Sequence, residues 1–263
     1  MTRLDVFLVD AGYAESRSKA KTMIEAGEVF LDGKCCTKVS TQVETPSVEI
    51  RKTGPQFVGR GGYKLYGALK AFRVEVHGMT AVDIGASTGG FTQCLLMAGA
   101  SRVYAVDAGR DQLHPTLRND PRVVCMEGCN ARELEEDMLG TRCDLCVMDV
   151  SFISQSLLYP AVTRVLREDG LFISLIKPQF EAGKARVGKG GLVRDLRTHC
   201  NVITGLISQA AENGLYCRSL IRSPIDGGDG NREYLALYSF SHRVQPIPDC
   251  HTVRMTVYGG SNI

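Results

Sequence analysis

The sequence predicts an α/β protein, with a seven-stranded, mostly parallel sheet and its helices following a small N-terminal α+β unit. Three observations carry this. From Thr80 onward, short apolar runs alternate with helical segments. The first fifty residues instead read as two short helices and then two short strands. Finally, the glycine-punctuated stretch Asp83-Ile-Gly-Ala-Ser-Thr-Gly-Gly-Phe-Thr stands between a predicted strand and a predicted helix, where parallel sheets carry their ligand loops.

Residues 4–9 form the first predicted helix, ended at Gly12. Ser16 can cap a second over residues 17–26, with Ala20, Met23 and Ile24 as its apolar stripe and Gly27 as its stop. Residues 29–34 read as a strand entering a tight turn at Gly33, and residues 47–50 as another strand. Arg3, Arg17, Lys19 and Lys21 make a basic helix face that could meet a phosphate backbone or simply be solvated. Between residues 51 and 74 there are six basic residues, Arg60 and Lys64 among them, and no acidic one, so 60–78 reads as a basic linker and domain junction. The predicted sheet strands are 81–84, 102–106, 123–126, 145–149, 170–175, 216–221 and 234–240, with helices near 90–97, 157–166 and 196–213. The expected divisions are therefore 1–59, 60–78, 79–240 and a C-terminal extension, 241–263, that either covers the sheet or trails from it.

Composition bounds the function. The chain has 263 residues, 44% of them hydrophobic and 23% charged, which is globular and neither disordered nor low-complexity. A net charge of +2 argues for no particular partner, but residues 1–75 hold 12 basic against 9 acidic side chains, while the remainder is nearly balanced. The apolar runs are strand-sized, which excludes a membrane-spanning helix, and the start lacks the unbroken apolar stretch of a secretory signal, so a cytoplasmic protein is expected. Several of the ten cysteines fall in apolar segments, and Cys143 and Cys146 point to opposite faces of one predicted strand. No metal is expected.

The glycine loop has the features of a nucleoside site. Gly85, Gly89 and Gly90 allow close backbone approach, and Asp107 ends the next strand, where a carboxylate can take ribose hydroxyls. No Gly-x-x-x-x-Gly-Lys-Ser/Thr phosphate loop is present, and Asp83 suits a ligand with a positive centre, so S-adenosylmethionine is preferred to a dinucleotide. Asp149 and Lys177 each follow a predicted strand and should emerge at the same carboxyl edge of the sheet. Lys64 and Glu233, taken alone, read as surface salt-bridge residues. Lys184, Arg186 and Lys189 open a second basic stretch, fit either for RNA or for a solvated loop.

Several motifs together resemble the TlyA family of rRNA 2'-O-methyltransferases, whose catalytic domain is of the FtsJ type. Arg3-Leu-Asp-Val-Phe-Leu-Val, Ser16-Arg-Ser-Lys-Ala and Gly27-Glu-Val-Phe-Leu-Asp-Gly-Lys resemble its small RNA-binding domain, Arg60-Gly-Gly-Tyr-Lys-Leu its domain junction, and Asp83 to Phe91 its cofactor loop. The resemblance implies a Rossmann-like, S-adenosylmethionine-dependent methyltransferase domain behind a small α+β RNA-binding domain, with ribosomal RNA or ribosomal subunits as partners. It also implies a catalytic tetrad of Lys64, Asp149, Lys177 and Glu233, with Lys177 at the 2'-hydroxyl, Asp149 orienting it, and Lys64 with Glu233 around the ribose. The cofactor set it implies is Asp83, Gly85, Ser87, Thr88, Gly89, Gly90, Phe91, Asp107, Asn130, Asp149 and Val150. Arg3, Arg17, Lys19, Lys21, Arg60, Lys184, Arg186 and Lys189 would contact RNA. Two alternatives belong to other classes. A membrane-active hemolysin, the family's historical label, would lyse cells without RNA, and a noncatalytic ribosome-assembly factor would transfer no methyl group to any rRNA.

Overall fold

The computed structural model describes residues 2–51, 55–228, 230–240 and 250–259, which divide into two units, 1–56 and 57–263. In the first, β1 (Thr2–Arg3) leads into α1 (Leu4–Asp10) and α2 (Arg17–Glu25), followed by β2 (Val29–Leu31), β3 (Lys34–Cys35), β4 (Gln42–Val43) and β5 (Val48–Ile50). The Ser16 hydroxyl accepts from the Lys19 amide at 3.2 Å and caps α2 as predicted. Asp32 and Gly33 both have positive φ, the geometry of a two-residue hairpin, and this closes β2 onto β3. β5 pairs on the other side of β2, while β1 pairs with β4. Leu4, Leu8, Ala20, Ile24 and Val29 are fully buried between the helices and these short strands.

The second unit opens with a correction. The expected basic linker at 60–78 contains α3 (Gly61–Phe72), a twelve-residue helix that buries Lys64, Leu65, Ala68 and Leu69. Its Gly-Gly start resembles a linker, but the residue type is required by packing: a Cβ on Gly62 would fall 2.3 Å from the Phe57 ring. Phe57 belongs to this unit as well, three residues before the expected boundary.

All seven predicted sheet strands form. They are β6 (Thr80–Ile84), β7 (Arg102–Asp107), β8 (Val123–Glu127), β9 (Cys143–Met148), β10 (Leu166–Ile176), β11 (Tyr216–Arg222) and β12 (Tyr234–Ser239), in spatial order β11-β12-β10-β9-β6-β7-β8. Every adjacent pair is parallel except those made by β12, which runs antiparallel to both neighbours. Between them lie α4 (Gly90–Met97), α5 (Pro115–Arg118), α6 (Glu136–Leu139), α7 (Tyr159–Val165), α8 (Pro178–Glu181) and α9 (Leu196–Glu212). The strands alternate: Val82 and Ile84 face one core, and Ala81 faces another shared with α3 and α4. Both faces are covered, which is why the strands read as nearly continuous apolar runs. Cys143 and Cys146 are both buried, but in the same core and not on opposite faces as expected: Cys143 is the first residue of β9, where the pairing with β10 shifts register. Of the C-terminal extension, α10 (Cys250–Tyr258) buries Val253 and Val257 against α9 and β11, while 241–249 and 260–263 lie outside the described residues.

Candidate active site

The chain order reverses between β6 and β9, and the loops leaving their carboxyl ends meet there, as ligand-binding loops do in open parallel sheets. Gly85 makes this contact possible. Its φ is +84°, and a Cβ would lie 2.5 Å from the Asp149 carbonyl oxygen. A pocket of about 200 Å³ opens beside it, lined by Arg60, Gly61, Ser87, Thr88, Gly90, Phe91, Asp149, Ser151 and Lys177 among others. Asp107, the last residue of β7, accepts from the Ser87 amide at 2.8 Å and the Gly109 amide at 2.7 Å, so its carboxylate braces the glycine loop.

Five expected cofactor residues, Asp83, Gly89, Asp107, Asn130 and Val150, stand outside that lining. Asp83 is fully buried beneath α4, its Oδ2 accepting from the Thr92 hydroxyl at 2.7 Å and its Oδ1 unpaired. The reason is strand parity: Asp83 shares the face of Ala81, not the strand's open end. Burial, opposed by the Thr92 hydrogen bond, pushes its carboxyl up to about 7. Asn130 caps a short 3-10 turn, accepting from the Arg132 amide and donating to Glu133. Val150 packs half-buried against the core, its methyl 3.1 Å from where a Gly85 Cβ would be. Gly89, at φ +94°, supports the loop from below, under Leu117.

The four expected catalytic residues form two ion pairs. Lys177, directly after β10, places Nζ 2.6 Å from Asp149 Oδ1 and donates to the Ser151 hydroxyl at 2.8 Å. Lys64, on the second turn of α3, donates to Glu233 Oε2 at 2.5 Å, and both side chains are more than nine-tenths buried. The pairs are neighbours: a Cβ on Gly61, one helical turn before Lys64, would lie 3.5 Å from Asp149 Oδ2. Lys64 and Glu233 are thus not surface salt-bridge residues. Such a pair gains little stability over an apolar substitute, because desolvation cancels most of the attraction.

Sequence reasoning assigned no role to Ser151, Phe152 or Gln179. Gln179 reaches Glu233 Oε1 at 3.3 Å. Phe152 is 91% exposed with φ +64°, an uncommon conformation for a bulky residue, and its ring lies 4.8 Å from that of Phe180. The only sequence signal was their place inside the motifs carrying Asp149 and Lys177. Of the expected RNA contacts, Arg60 lines the pocket and donates to the Asp226 carbonyl. Lys184, Arg186 and Lys189 are exposed on two 3-10 turns. In the first unit Arg3 lies on β1, ahead of the helix face it was expected on. Arg3 and Arg17 both bind the buried Asp5, at 2.9 and 2.7 Å, and hold its carboxyl below the usual range, chiefly through the Arg3 hydrogen bond. Lys19 is exposed, and Lys21 lies 3.6 Å from Glu25.

This sheet order, with a glycine loop and a strand-end carboxylate at its reversal point, defines a Rossmann-like methyltransferase. The model of the FtsJ-like methyltransferases matches residues 57–240, and that of the S4 domain matches residues 2–50. The chain is 43% identical over 234 residues to the 16S/23S rRNA (cytidine-2'-O)-methyltransferase TlyA of Mycobacterium tuberculosis, covering 88% of this chain and 87% of that protein. It is 42% identical to Hemolysin A of Brachyspira hyodysenteriae over 89% of this chain and 98% of that protein. A hemolysin-like protein of Streptococcus thermophilus has the same fold, with a TM-score of 0.75 at 37% identity over 98% of this chain and 94% of that one. The chain belongs to the TlyA family of FtsJ-like methyltransferases. S-adenosylmethionine fits the residues present, because the side-chain-free cradle at Gly85 admits a ligand backbone-close and Asp107 stands at the loop's edge with both oxygens fixed. Among the described residues no helix is long and apolar enough to cross a membrane, and no group of three or more His, Cys, Asp or Glu is placed to hold a metal.

Proposed function

We propose that this methyltransferase acts on a ribose 2'-hydroxyl of ribosomal RNA, in the cytoplasm where that RNA is found. The observation that carries the reading is the pair of lysine–carboxylate contacts, Lys177–Asp149 and Lys64–Glu233, beside the glycine pocket. When bound, S-adenosylmethionine supplies an activated methyl group on a sulfonium. The residues of the chain align the acceptor. Gly85, Ser87 and Asp107 hold the nucleoside end, while Asp149 fixes the Lys177 ammonium at the pocket wall. That ammonium receives the ribose oxygen and stabilises its negative charge as the O–H proton passes to solvent water and the oxygen takes the methyl group, an electrostatic effect strongest in a preorganised site. Glu233 and Lys64 wall the ribose on the side of α3.

The exposed Phe152 supports an RNA substrate. An aromatic face presented at the rim, directly after Ser151 and its Lys177 contact, offers a base a stacking platform. Arg3, Arg17 and Lys19 of the S4 unit, with Lys184, Arg186 and Lys189, supply phosphate contacts. The mycobacterial relative's activity makes cytidine the nucleotide to look for first. The test is incubation of the full chain with labelled S-adenosylmethionine and naked rRNA, isolated subunits or assembled ribosomes, followed by mapping of the modified nucleotide. Label on a ribose 2'-oxygen is expected, and label on a base or no label on any rRNA would refute the reading.

A further inference from the structure

Gln179 lies two residues beyond Lys177, in the first turn of α8. Its Nε2 donates to Glu233 Oε1 at 3.3 Å, while the other oxygen of the same carboxylate takes Lys64 at 2.5 Å. Lys177 in turn binds Asp149 and Ser151. One short segment, 177–179, therefore reaches both ion pairs, one through the Lys177 side chain and the other through that of Gln179. The orientation of its amide is fixed by charge. Turning it over would set the Gln179 oxygen against the Glu233 carboxylate, so Nε2 faces Glu233 and Oε1 faces away. That leaves Oε1 buried and without a hydrogen-bond partner.

A buried, unpaired carbonyl is a cost that an apolar side chain of similar length would avoid. A glutamine at this point makes the fold less favourable in order to hold Glu233 in place. We infer that Gln179 is a positioning residue for methyl transfer: it ties Glu233, and through it Lys64, to the segment that carries Lys177, so that the two ion pairs keep one geometry around the ribose. The inference rests on the 2'-hydroxyl reading above. It concerns alignment of the acceptor and not cofactor affinity, so its loss belongs in kcat and not in the KM for S-adenosylmethionine.

The test uses the full chain, labelled S-adenosylmethionine and the ribosomal particle found to be methylated. Gln179→Met removes the amide and the unpaired oxygen together at nearly constant length. The expected result is a kcat about tenfold or more below wild type, an unchanged KM for S-adenosylmethionine, and a thermal midpoint equal to or above wild type. A second measurement separates positioning from packing. In a Glu233→Gln background, Gln179→Met should lower kcat by less than about twofold further, because the group it acts through is already altered. Overturning results are a kcat within twofold of wild type, a fall in kcat that accompanies a lowered midpoint or failure to fold, or full additivity of the two substitutions. Absence of transfer by the wild-type chain would refute the 2'-hydroxyl reading itself, whereas transfer that is indifferent to residue 179 refutes only this inference.

Discussion

Lys177 is the side chain on which the proposed chemistry turns, and its contacts separate catalysis from folding. It is partly exposed at the pocket wall, held by Asp149 and Ser151, and so carries little of the core. Lys177→Ala should lower methyl transfer by about 100-fold or more, as loss of a preorganised charge-stabilising group does, with S-adenosylmethionine affinity by calorimetry and the thermal midpoint close to wild type. Asp83 behaves in the opposite way. Its carboxyl, pushed up to about 7 by burial, keeps its proton in the folded chain at pH values where the unfolded chain, near 4, has lost it. The stability it contributes is therefore full below about pH 4 and is lost as pH rises through 7. Asp83→Asn removes that slope, so urea unfolding should show the variant gaining on wild type between pH 4 and 8 and levelling above. The sequence places an acidic residue at 83, but whether its side chain meets the ligand or the core depends on which face of β6 it occupies. The structure turns it under α4.

Two elements position the site, the β6–α4 loop and α3. At the loop, Gly85→Ala would drive a methyl against the Asp149 carbonyl at a backbone conformation that L-residues rarely adopt. S-adenosylmethionine affinity, measured by calorimetry, should fall at least about tenfold. Helix α3 carries Lys64 to a carboxylate 169 residues away on the approach to β12. Lys64→Ala strands a buried Glu233 and should cost about 3–5 kcal/mol in urea unfolding. Lys64→Met with Glu233→Leu should recover most of that stability while remaining inactive, which separates the pair's small net contribution to stability from its role in the reaction. Glycines and basic residues at 60–73 gave α3 the composition of a linker. Helix propensity is a weak prior, and here close packing against Phe57 overrides it.

Across the whole molecule, basic side chains are spread over both units while net charge stays small, so RNA affinity should depend on particular contacts and on salt. In full-length protein, Lys19→Ala or Lys189→Ala should weaken RNA binding without changing affinity for S-adenosylmethionine. Each should reduce the slope of log affinity against log salt by about 0.7–0.9. Unchanged slopes would remove those residues from the interface. Arg3 and Arg17 differ in kind, because both are bound to Asp5: replacing Asp5 should disturb RNA binding through two guanidinium groups at once.

The sequence by itself determined the strands, the main helices, the glycine loop and, through its motifs, the four residues Lys64, Asp149, Lys177 and Glu233. Those features are local, since strand alternation, helix caps and turn glycines act over a few residues. Only the tertiary structure decided that the four residues form two ion pairs, that Gln179 reaches Glu233, that Asp83 faces inward and that the supposed linker is a helix. Each of these depends on which distant segments the sheet order brings together, and that order is fixed by burying both faces of the sheet, a property of the whole chain that no window of sequence contains.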